Sequence, residues 1–137
     1  MKNLAGLSII IARGQAENFI SLGVLSQTAA SLGIPVKIFV TGFAVPYFTK
    51  NKPELRPSVE FQDFAKKMFE GMQKMNAPNW YDMLKAAKEI GDVKVFGCSM
   101  TAEALGVKKE DWDPIVDDVV GAAFFLTKTA GDTVIYI

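Results

Sequence analysis

The 137-residue sequence contains no histidine and a single cysteine, Cys98. The absence of histidine excludes imidazole metal sites, histidine general bases and Ser-His-Asp triads. A single cysteine cannot form a disulfide within the chain, which favours a reducing cytoplasm over secretion. The sequence also lacks a GxGxxG or GxxxxGK[ST] pattern after its first predicted strand, so no nucleotide cofactor is indicated. We expect neither a cofactor nor a metal.

An excess of charge of one sign is missing as well, because fifteen Lys and Arg balance fifteen Asp and Glu. A neutral chain without a basic run is a poor candidate for binding nucleic acid or an anionic membrane. The longest charge-free stretch, residues 18–36, is too polar to span a membrane. Residues 1–4 do not begin a signal peptide pattern, since the apolar stretch after them soon meets Arg13. We therefore expect a cytoplasmic protein without nucleic-acid or membrane partners.

Hydrophobic residues are abundant, at 50% of the sequence, and the mean hydropathy is +0.19. The length suits one domain, residues 1–137, with a sizeable core. The interior of such a small domain is limited, so part of the apolar excess is expected to cover a subunit interface. Residues 15–32 are apolar most of the way round a helix, and Phe and Met recur at helical spacing over residues 61–75. These two segments predict a homo-oligomer.

The hydrophobic pattern predicts an α/β fold. A buried strand over residues 4–12, a helix over 15–32 and a second buried strand over 36–40 form a βαβ unit, which requires a parallel sheet. Residues 43–57 are rich in proline and are expected to form a long irregular loop. The remaining expected elements are helices over 61–75, 80–90 and 121–128, and strands over 93–96, 115–120 and 133–137.

Cys98 lies where the third predicted strand gives way to a helical segment. The amide groups and the positive end of the helix dipole at such a junction lower the pKa of a thiol and favour the nucleophilic thiolate. The alternative is that Cys98 is a small buried hydrophobe, because free cysteine is among the most buried residue types.

Other chemistry-bearing residues also follow predicted strands. The carboxyl ends of parallel strands share one edge of the sheet, where ligands bind in open α/β folds. We therefore expect Arg13, Gly14, Thr41 and Gly42 near Cys98. Arg13 could supply positive charge to a thiolate or an anionic sulfur substrate. Alternatively, Arg13 closes a turn, and the two glycines only provide permissive backbone angles.

Residues 99–118, which follow Cys98 directly, contain six acidic residues. A weak site for a hard metal is conceivable there, but a solvated face is the favoured interpretation. The residues are Glu103, Glu110, Asp111, Asp113, Asp117 and Asp118.

The segment around Cys98 resembles the DsrE/DsrF-like family, and its peroxiredoxin-like branch most closely. Residues 93–101, VKVFGCSMT, are similar to the family signature of a strand, a small residue, cysteine, a polar residue, methionine and Ser or Thr. Residues 105–111, LGVKKED, and 119–123, VVGAA, resemble stretches that follow in that branch. The βαβ unit with residues 39–43, FVTGF, also fits the family pattern.

This resemblance implies a three-layer α/β/α domain, Rossmann-like, with a mostly parallel sheet of about five strands. It also implies a cytoplasmic homo-oligomer that carries sulfur as a persulfide on Cys98 and exchanges it with a small TusA-like carrier protein. Some sulfur-transferring members use a second cysteine, which this chain lacks. A mechanism with two cysteines in one chain is therefore excluded here.

The resulting hypothesis is a persulfide-type sulfurtransferase or sulfur carrier. Cys98 is its catalytic residue, and small sulfur anions are its substrates. Two alternatives remain: a non-catalytic module that binds a small ligand, and an oligomeric scaffold of the same fold. The candidate substrate-binding residues are Arg13, Gly14, Gly42 and Ser99.

Overall fold

The computed structural model describes residues 5–137, which form a five-stranded parallel sheet with helices on both faces. The strands are β1 (Leu7–Ile11), β2 (Val36–Val40), β3 (Val93–Cys98), β4 (Asp118–Val120) and β5 (Thr133–Tyr136). Their order across the sheet is β4-β3-β2-β1-β5. The helices are α1 (Ala16–Ser31), α2 (Gln62–Lys74), α3 (Trp80–Ile90), α4 (Ser99–Leu105) and α5 (Ala122–Lys128). The predicted three-layer α/β/α fold is confirmed.

One face of the sheet is closed by α1 and α3, which pack against each other. Alternate residues of β1, β2 and β3 point into this layer, and most are inaccessible to solvent. The largest side chains that meet them come from α1, α3 and the turn after β2, and all are fully buried: Phe19, Leu22, Phe48 and Leu84. This layer is the main hydrophobic core.

Among residues 5–137, only α5, a helix of seven residues, covers the other face. Its Phe125 is 1% exposed and stacks on Phe39 of β2, with ring centroids 4.9 Å apart. Cys98 and Val120 complete a small buried cluster with these two rings. Phe96 of β3 is half-buried and packs against this cluster.

The connections explain why α5 lies alone. Three successive crossovers step from β1 to β4 in one direction, and the fourth returns across the whole sheet to β5. Because parallel crossovers are right-handed, a reversal of direction moves the connecting helix to the opposite face. The chain therefore leaves β3 toward one face, with Ala102 of α4 in the main core, and leaves β4 toward the other. The carboxyl ends of β3 and β4 flank this switch in direction.

Most predicted elements agree with the structure, and three differ. The fourth strand was predicted over residues 115–120, but only Asp118–Val120 is strand, because Ile115 is a core residue of the preceding turn. The expected irregular loop over 43–57 instead begins with a 3-10 helix, Gly42–Phe48, that buries Phe48 completely. The first strand begins at Leu7, and Leu4, where it was predicted to begin, lies outside the described residues.

The Phe and Met stripe over residues 61–75 forms α2 and the short 3-10 helix before it, Val59–Phe61. Ala65 is the only buried residue of α2, while Phe61 and Phe64 are 60% and 66% exposed. A narrow apolar cavity of about 300 Å³ separates this stripe from Ile20 of α1. The stripe is therefore not part of the core of the isolated chain.

Candidate functional site

Cys98 is the last residue of β3 and the N-cap of α4. The backbone turns from strand to helix at this point, so the side chain of the N-cap residue faces the amides of the second and third helical residues. Those residues are Met100 and Thr101. The predicted strand-to-helix junction at Cys98 is thus confirmed.

The surroundings of the sulfur stabilise a thiolate. Cys98 is 6% exposed, and this burial raises the pKa of its thiol. Hydrogen-bond donors act in the opposite direction: the hydroxyls of Thr101 and Thr41 and the amides of Thr101 and Met100 lower the pKa. The donors prevail, so the pKa of Cys98 lies below its ordinary value. A larger thiolate fraction at neutral pH makes a cysteine a better nucleophile.

Hydrogen bonds between the turn after β2 and helix α4 hold Thr41 and Thr101 in place. The hydroxyls of Thr41 and Thr101 lie 3.4 Å apart, and the amide of Gly42 donates a hydrogen bond of 3.1 Å to the Thr101 hydroxyl. Gly42 has a φ of 53°, in the left-handed region that glycine adopts without strain. This turn after β2 therefore brings Thr41 and the Gly42 amide against α4.

A cavity of about 900 Å³ opens beside Thr41 at the carboxyl edge of β1, β2 and β5. Arg13, Gly14 and Gly42 line it, as does Tyr136 of β5. A Cβ atom on Gly14 would lie 2.7 Å from the carbonyl oxygen of Phe43, so only glycine fits at this position. The structure thus places three predicted binding residues in one cavity with Thr41, whose hydroxyl lowers the pKa of the Cys98 thiol.

Ser99 lies elsewhere. It lines a second cavity, of about 630 Å³, between α4 and the segment that leads into β4. Glu103, Asp117 and Asp118 line the same cavity, and so does the side chain of Lys109. Ser99 is therefore separated from Arg13, Gly14 and Gly42, which line the first cavity. The acidic lining of the second cavity also does not suit a sulfur anion.

The prediction that the acidic residues after Cys98 form a solvated face is wrong for Asp113. It is 6% exposed, and its carboxylate accepts hydrogen bonds from Lys52 at 2.6 Å, from the Tyr81 hydroxyl at 2.8 Å and from the Ile115 amide at 2.8 Å. Burial raises the pKa of Asp113, but the three hydrogen-bond donors lower it by more. The net pKa of Asp113 is therefore below its usual value. Burial first, and then the hydrogen bond to Asp113, raises the pKa of Tyr81 to about 12.

Asp117 is also engaged, because Lys88 and the Val95 amide donate to its carboxylate. Over residues 5–137, no group of three or more cysteine, aspartate or glutamate side chains is arranged to hold a metal ion. Within the same residues, no helix has the length and apolar character needed to cross a membrane.

Sequence reasoning placed Thr41 at this edge but missed Thr101. Thr101 follows Cys98 by three residues, the spacing of one helical turn, and this spacing was the available signal. Tyr136 carried no such signal, because β5 lies next to β1 only through the crossover that spans the sheet.

Comparison with known proteins gives one match to a family model and several to solved structures. Residues 43–135 match the model of the DsrE/DsrF/DrsH-like family. No curated protein matches the chain. The structure is similar to the ychN protein from E. coli, with 14% identity and a TM-score of 0.64 over 98% of this chain and 100% of that chain. It is also similar to a protein of unknown function, MTH1491 from Methanobacterium thermoautotrophicum, with 15% identity and a TM-score of 0.55 over 97% and 99%. At these identities the likeness shows the fold.

Proposed function

Since the chain belongs to the DsrE/DsrF/DrsH-like family, we propose that it is a sulfur-relay protein that acts through Cys98. It accepts sulfane sulfur or a thiosulfonate group on this cysteine and passes the group to another thiol. The observation that carries the proposal is the set of donors around Cys98, whose hydroxyl and amide groups lower the pKa of its thiol despite burial.

The accepting step is a nucleophilic displacement at sulfur. With thiosulfate, the Cys98 thiolate forms a bond to the sulfane sulfur, the original S–S bond breaks, and sulfite leaves with the electron pair. The product is a Cys98 persulfide. With tetrathionate, the same thiolate attacks an inner sulfur, thiosulfate leaves, and Cys98 carries a thiosulfonate group. Neither step needs an external oxidant or reductant.

The hydrogen-bond donors around the thiolate have a role both when Cys98 accepts sulfur and when it passes sulfur on. The Thr41 and Thr101 hydroxyls stabilise Cys98 as an attacking thiolate and again as a leaving thiolate when sulfur moves on. Arg13 lines the adjacent cavity and carries the positive charge that an anionic donor or a departing sulfite requires. Gly14 and Gly42 have no side chain, so the backbone can approach a ligand in this cavity closely. The expected ligand is the sulfur anion.

The acceptor is proposed to be the thiol of a small TusA-like carrier protein. Its thiolate attacks the outer sulfur of the Cys98 persulfide, the S–S bond breaks, and the Cys98 thiolate is regenerated. A single cysteine is sufficient for this exchange, because the second thiol belongs to the partner. A reducing cytoplasm, where Cys98 stays free between transfers, is the compartment that suits this cycle.

Intact-mass measurement under non-reducing conditions tests the proposal. The protein is incubated separately with thiosulfate, tetrathionate and polysulfide. We expect the mass of one added sulfur atom or of one thiosulfonate group, and Cys98→Ser should remove every adduct. Protein that stays unmodified with all three donors would contradict sulfur transfer.

A second candidate function is the binding of a small ligand without turnover. It is favoured by the burial of Cys98, which is 94% shielded, and by the absence of Cys98 among the residues that line the described cavities. In this case the cavity beside Arg13 holds the ligand and Cys98 only packs. Unchanged binding of thiosulfate to Cys98→Ser, measured by calorimetry, together with no adduct on the wild type, would support this function.

A further inference from the structure

A further cavity, of about 300 Å³, borders the Cys98 site between the 3-10 helix after β2 and helix α4. Its volume lies at the lower end of the range for small-molecule sites, about 300–1,000 Å³. We call it the side cavity, and we call the larger cavity that Arg13 lines the main cavity. Among residues 5–137, no charged side chain lines the side cavity. Most of its wall is apolar and consists of Phe43, Pro46, Pro53, Met100, Ala104 and Leu105.

The two side-chain hydroxyls in the side cavity are already engaged within the chain. The Tyr47 hydroxyl donates a hydrogen bond of 3.4 Å to the Glu54 carbonyl. The Thr101 hydroxyl accepts a hydrogen bond from the Gly42 amide and also bonds to the Cys98 thiol. A charged or strongly polar ligand group would therefore lose its hydration here without gaining a partner. The side cavity suits a hydrocarbon group.

Large apolar side chains of this wall are in contact with water. Phe43 is 81% exposed, Met100 is 80% exposed and Leu105 is 54% exposed. Single exposed hydrophobic residues are common on protein surfaces, but a cluster of them around one cavity is typical of a binding site. A hydrocarbon group in the side cavity removes part of this surface from water, which favours binding.

The loop on one side of the side cavity is held in place without a ligand. The Thr49 hydroxyl donates a hydrogen bond of 2.7 Å to the Pro46 carbonyl. The ammonium group of Lys52, next to Pro53, pairs with the Asp113 carboxylate at 2.6 Å. Because these contacts fix the wall before binding, a ligand does not have to order the loop, and the cost of binding is lower.

The side cavity and the main cavity meet above the thiol. Thr41 lines the main cavity and Thr101 lines the side cavity, and the hydroxyls of both bond to the thiol of Cys98. These two hydroxyls lie 3.4 Å apart. Three residues line both cavities: Gly42, Phe43 and Tyr47. A single small molecule can therefore occupy both cavities with its reacting atom at Cys98.

We infer that the side cavity holds the hydrocarbon group of an organic thiosulfonate, R–SO₂–S⁻, an inference that rests on the proposed sulfur transfer through Cys98. In this donor one sulfur atom carries the group R, two oxygens and the terminal sulfane sulfur. The group R lies in the side cavity, the oxygens face Arg13 in the main cavity, and the terminal sulfur faces the thiol. Thiosulfate has no hydrocarbon group and leaves the side cavity empty.

The reaction follows the same course as with thiosulfate. The Cys98 thiolate forms a bond to the terminal sulfur, the S–S bond of the donor breaks, and the sulfinate R–SO₂⁻ leaves with the electron pair. The product is the Cys98 persulfide, and no external oxidant or reductant is needed. The charge of the departing sulfinate develops on the oxygens, where Arg13 supplies the opposite charge.

Two donors with the same reacting group test the inference. Benzenethiosulfonate and methanethiosulfonate differ only in R, and the rate of persulfide formation on Cys98 is followed by intact mass. Each rate is divided by the rate of free cysteine with the same donor, which removes the difference in intrinsic reactivity. We expect the wild type to prefer the phenyl donor by about tenfold. Leu105→Ser, which removes apolar surface, and Ala104→Trp, which fills the side cavity, should bring this preference close to one.

The matched control is Ile90→Ser. Ile90 ends α3 and is 56% exposed, just as Leu105 ends α4 and is 54% exposed, and each is followed by a glycine. Ile90→Ser should keep the wild-type preference. A wild type without preference would overturn the inference. Equal losses with both donors in Leu105→Ser and Ala104→Trp would also overturn it and would assign the apolar wall to another occupant, a carrier protein or a second copy. Circular dichroism checks folding, and Ala104→Trp, at an exposed position, answers the question if Leu105→Ser does not fold.

Binding of benzenesulfonate separates this inference from the proposed sulfur transfer, because benzenesulfonate has no sulfane sulfur to give. An NMR titration of Cys98→Ser should show saturable binding that is several-fold weaker when Leu105→Ser is added. Phe64→Ser, in the apolar cavity between α2 and α1, should leave the binding unchanged.

The outcomes of the two experiments can be told apart. Binding that depends on Leu105, with no adduct from any donor on the wild type, would contradict sulfur transfer but support the side cavity as an apolar subsite. Adducts from thiosulfate without any binding of benzenesulfonate would overturn the inference alone. Binding that is lost in Phe64→Ser and kept in Leu105→Ser would also overturn it.

Discussion

Ile9, Ile38 and Val95 line one face of the sheet and are inaccessible to solvent, whereas Val134 and Tyr136 on the other face are more than half exposed. The first three residues belong to the central strands β1, β2 and β3, and the last two belong to the edge strand β5. The difference comes from the edge position of β5 and from the connections, since three crossovers place their helices on the first face and a single crossover places a short helix on the second. Stability should therefore reside mainly in the face that α1 and α3 close.

The Cys98 site lies at the border of the two faces. Its side chain belongs to the small cluster under α5, while the helix that begins at Ser99 packs through Ala102 into the closed core. A substitution in the main core is thus expected to change the packing of α4 and so the position of the thiol. A substitution under α5 is expected to change the access of reagents to the thiol.

The largest contrast should come from one substitution made on each face. Leu84→Ala, in the closed core at 0% exposure, should lower the free energy of unfolding by about 2–5 kcal/mol, because it leaves a cavity. Leu126→Ala, on the exposed side of α5 at 61% exposure, should lower it by about 0.5 kcal/mol or less. Urea denaturation measures both. Equal losses in dilute solution would contradict the difference between the faces.

Two glycines should give effects of opposite sign. A Cβ atom at Gly97 of β3 would lie 2.6 Å from the Trp112 ring in the closed core, so Gly97→Ala should destabilise the fold by about 1–3 kcal/mol. Gly71 in α2 has open space around it, so Gly71→Ala should stabilise the fold by about 0.5–1 kcal/mol through helix propensity. Thermal unfolding of both variants checks the signs. A neutral Gly97→Ala would mean that Trp112 moves freely.

Asp113 should make the free energy of unfolding depend on pH in the acid range. Its carboxylate binds Lys52, Tyr81 and the Ile115 amide, and its folded pKa is below the unfolded value. A group with a depressed pKa stabilises the fold above its unfolded pKa, about 3.9, and loses this contribution as the pH falls through the folded pKa. Asp113→Asn should therefore lower the free energy of unfolding by about 1.5–3 kcal/mol at pH 7, and by less below about pH 4.

The matched control for this effect is Asp118→Asn. Asp118 is exposed on β4, and within the described part of the chain its carboxylate accepts a hydrogen bond only from the amide of the next residue. We expect little change in unfolding free energy at either pH. A difference between wild type and Asp113→Asn that does not shrink in acid would show that the loss comes from packing and not from the charge.

The smallest expected effect on stability, but a direct one on the site, is that of Thr101→Val. It removes one hydroxyl that lowers the pKa of Cys98, so this pKa should rise and alkylation at neutral pH should slow several-fold. Thr127→Val on α5 is the control, because the Thr127 hydroxyl bonds only to the Ala123 carbonyl within its own helix. The alkylation rate is followed against pH by intact mass. Superimposable profiles for wild type and Thr101→Val would remove Thr101 from the activation of the thiol.

Much of this arrangement could be predicted from local pattern. The bounds of β2 and α3 agree with the predicted ranges, and the strand-to-helix junction at Cys98 was correct. Such features depend on residues that are close in sequence, where apolar spacing and helix-ending glycines are directly visible. Residue spacing also brought Arg13, Gly14 and Gly42 to the correct edge of the sheet.

The remaining features depend on residues far apart in the chain, and only the tertiary structure decided them. Thr41 meets Thr101 across 60 positions, and Lys52 meets Asp113 across 61. The strand order β4-β3-β2-β1-β5, the separation of Ser99 from the cavity and the exposure of one sheet face have the same origin. A hydrophobic pattern reports that a side chain is to be buried but not which partner buries it, because pairing between distant segments leaves no trace in local spacing.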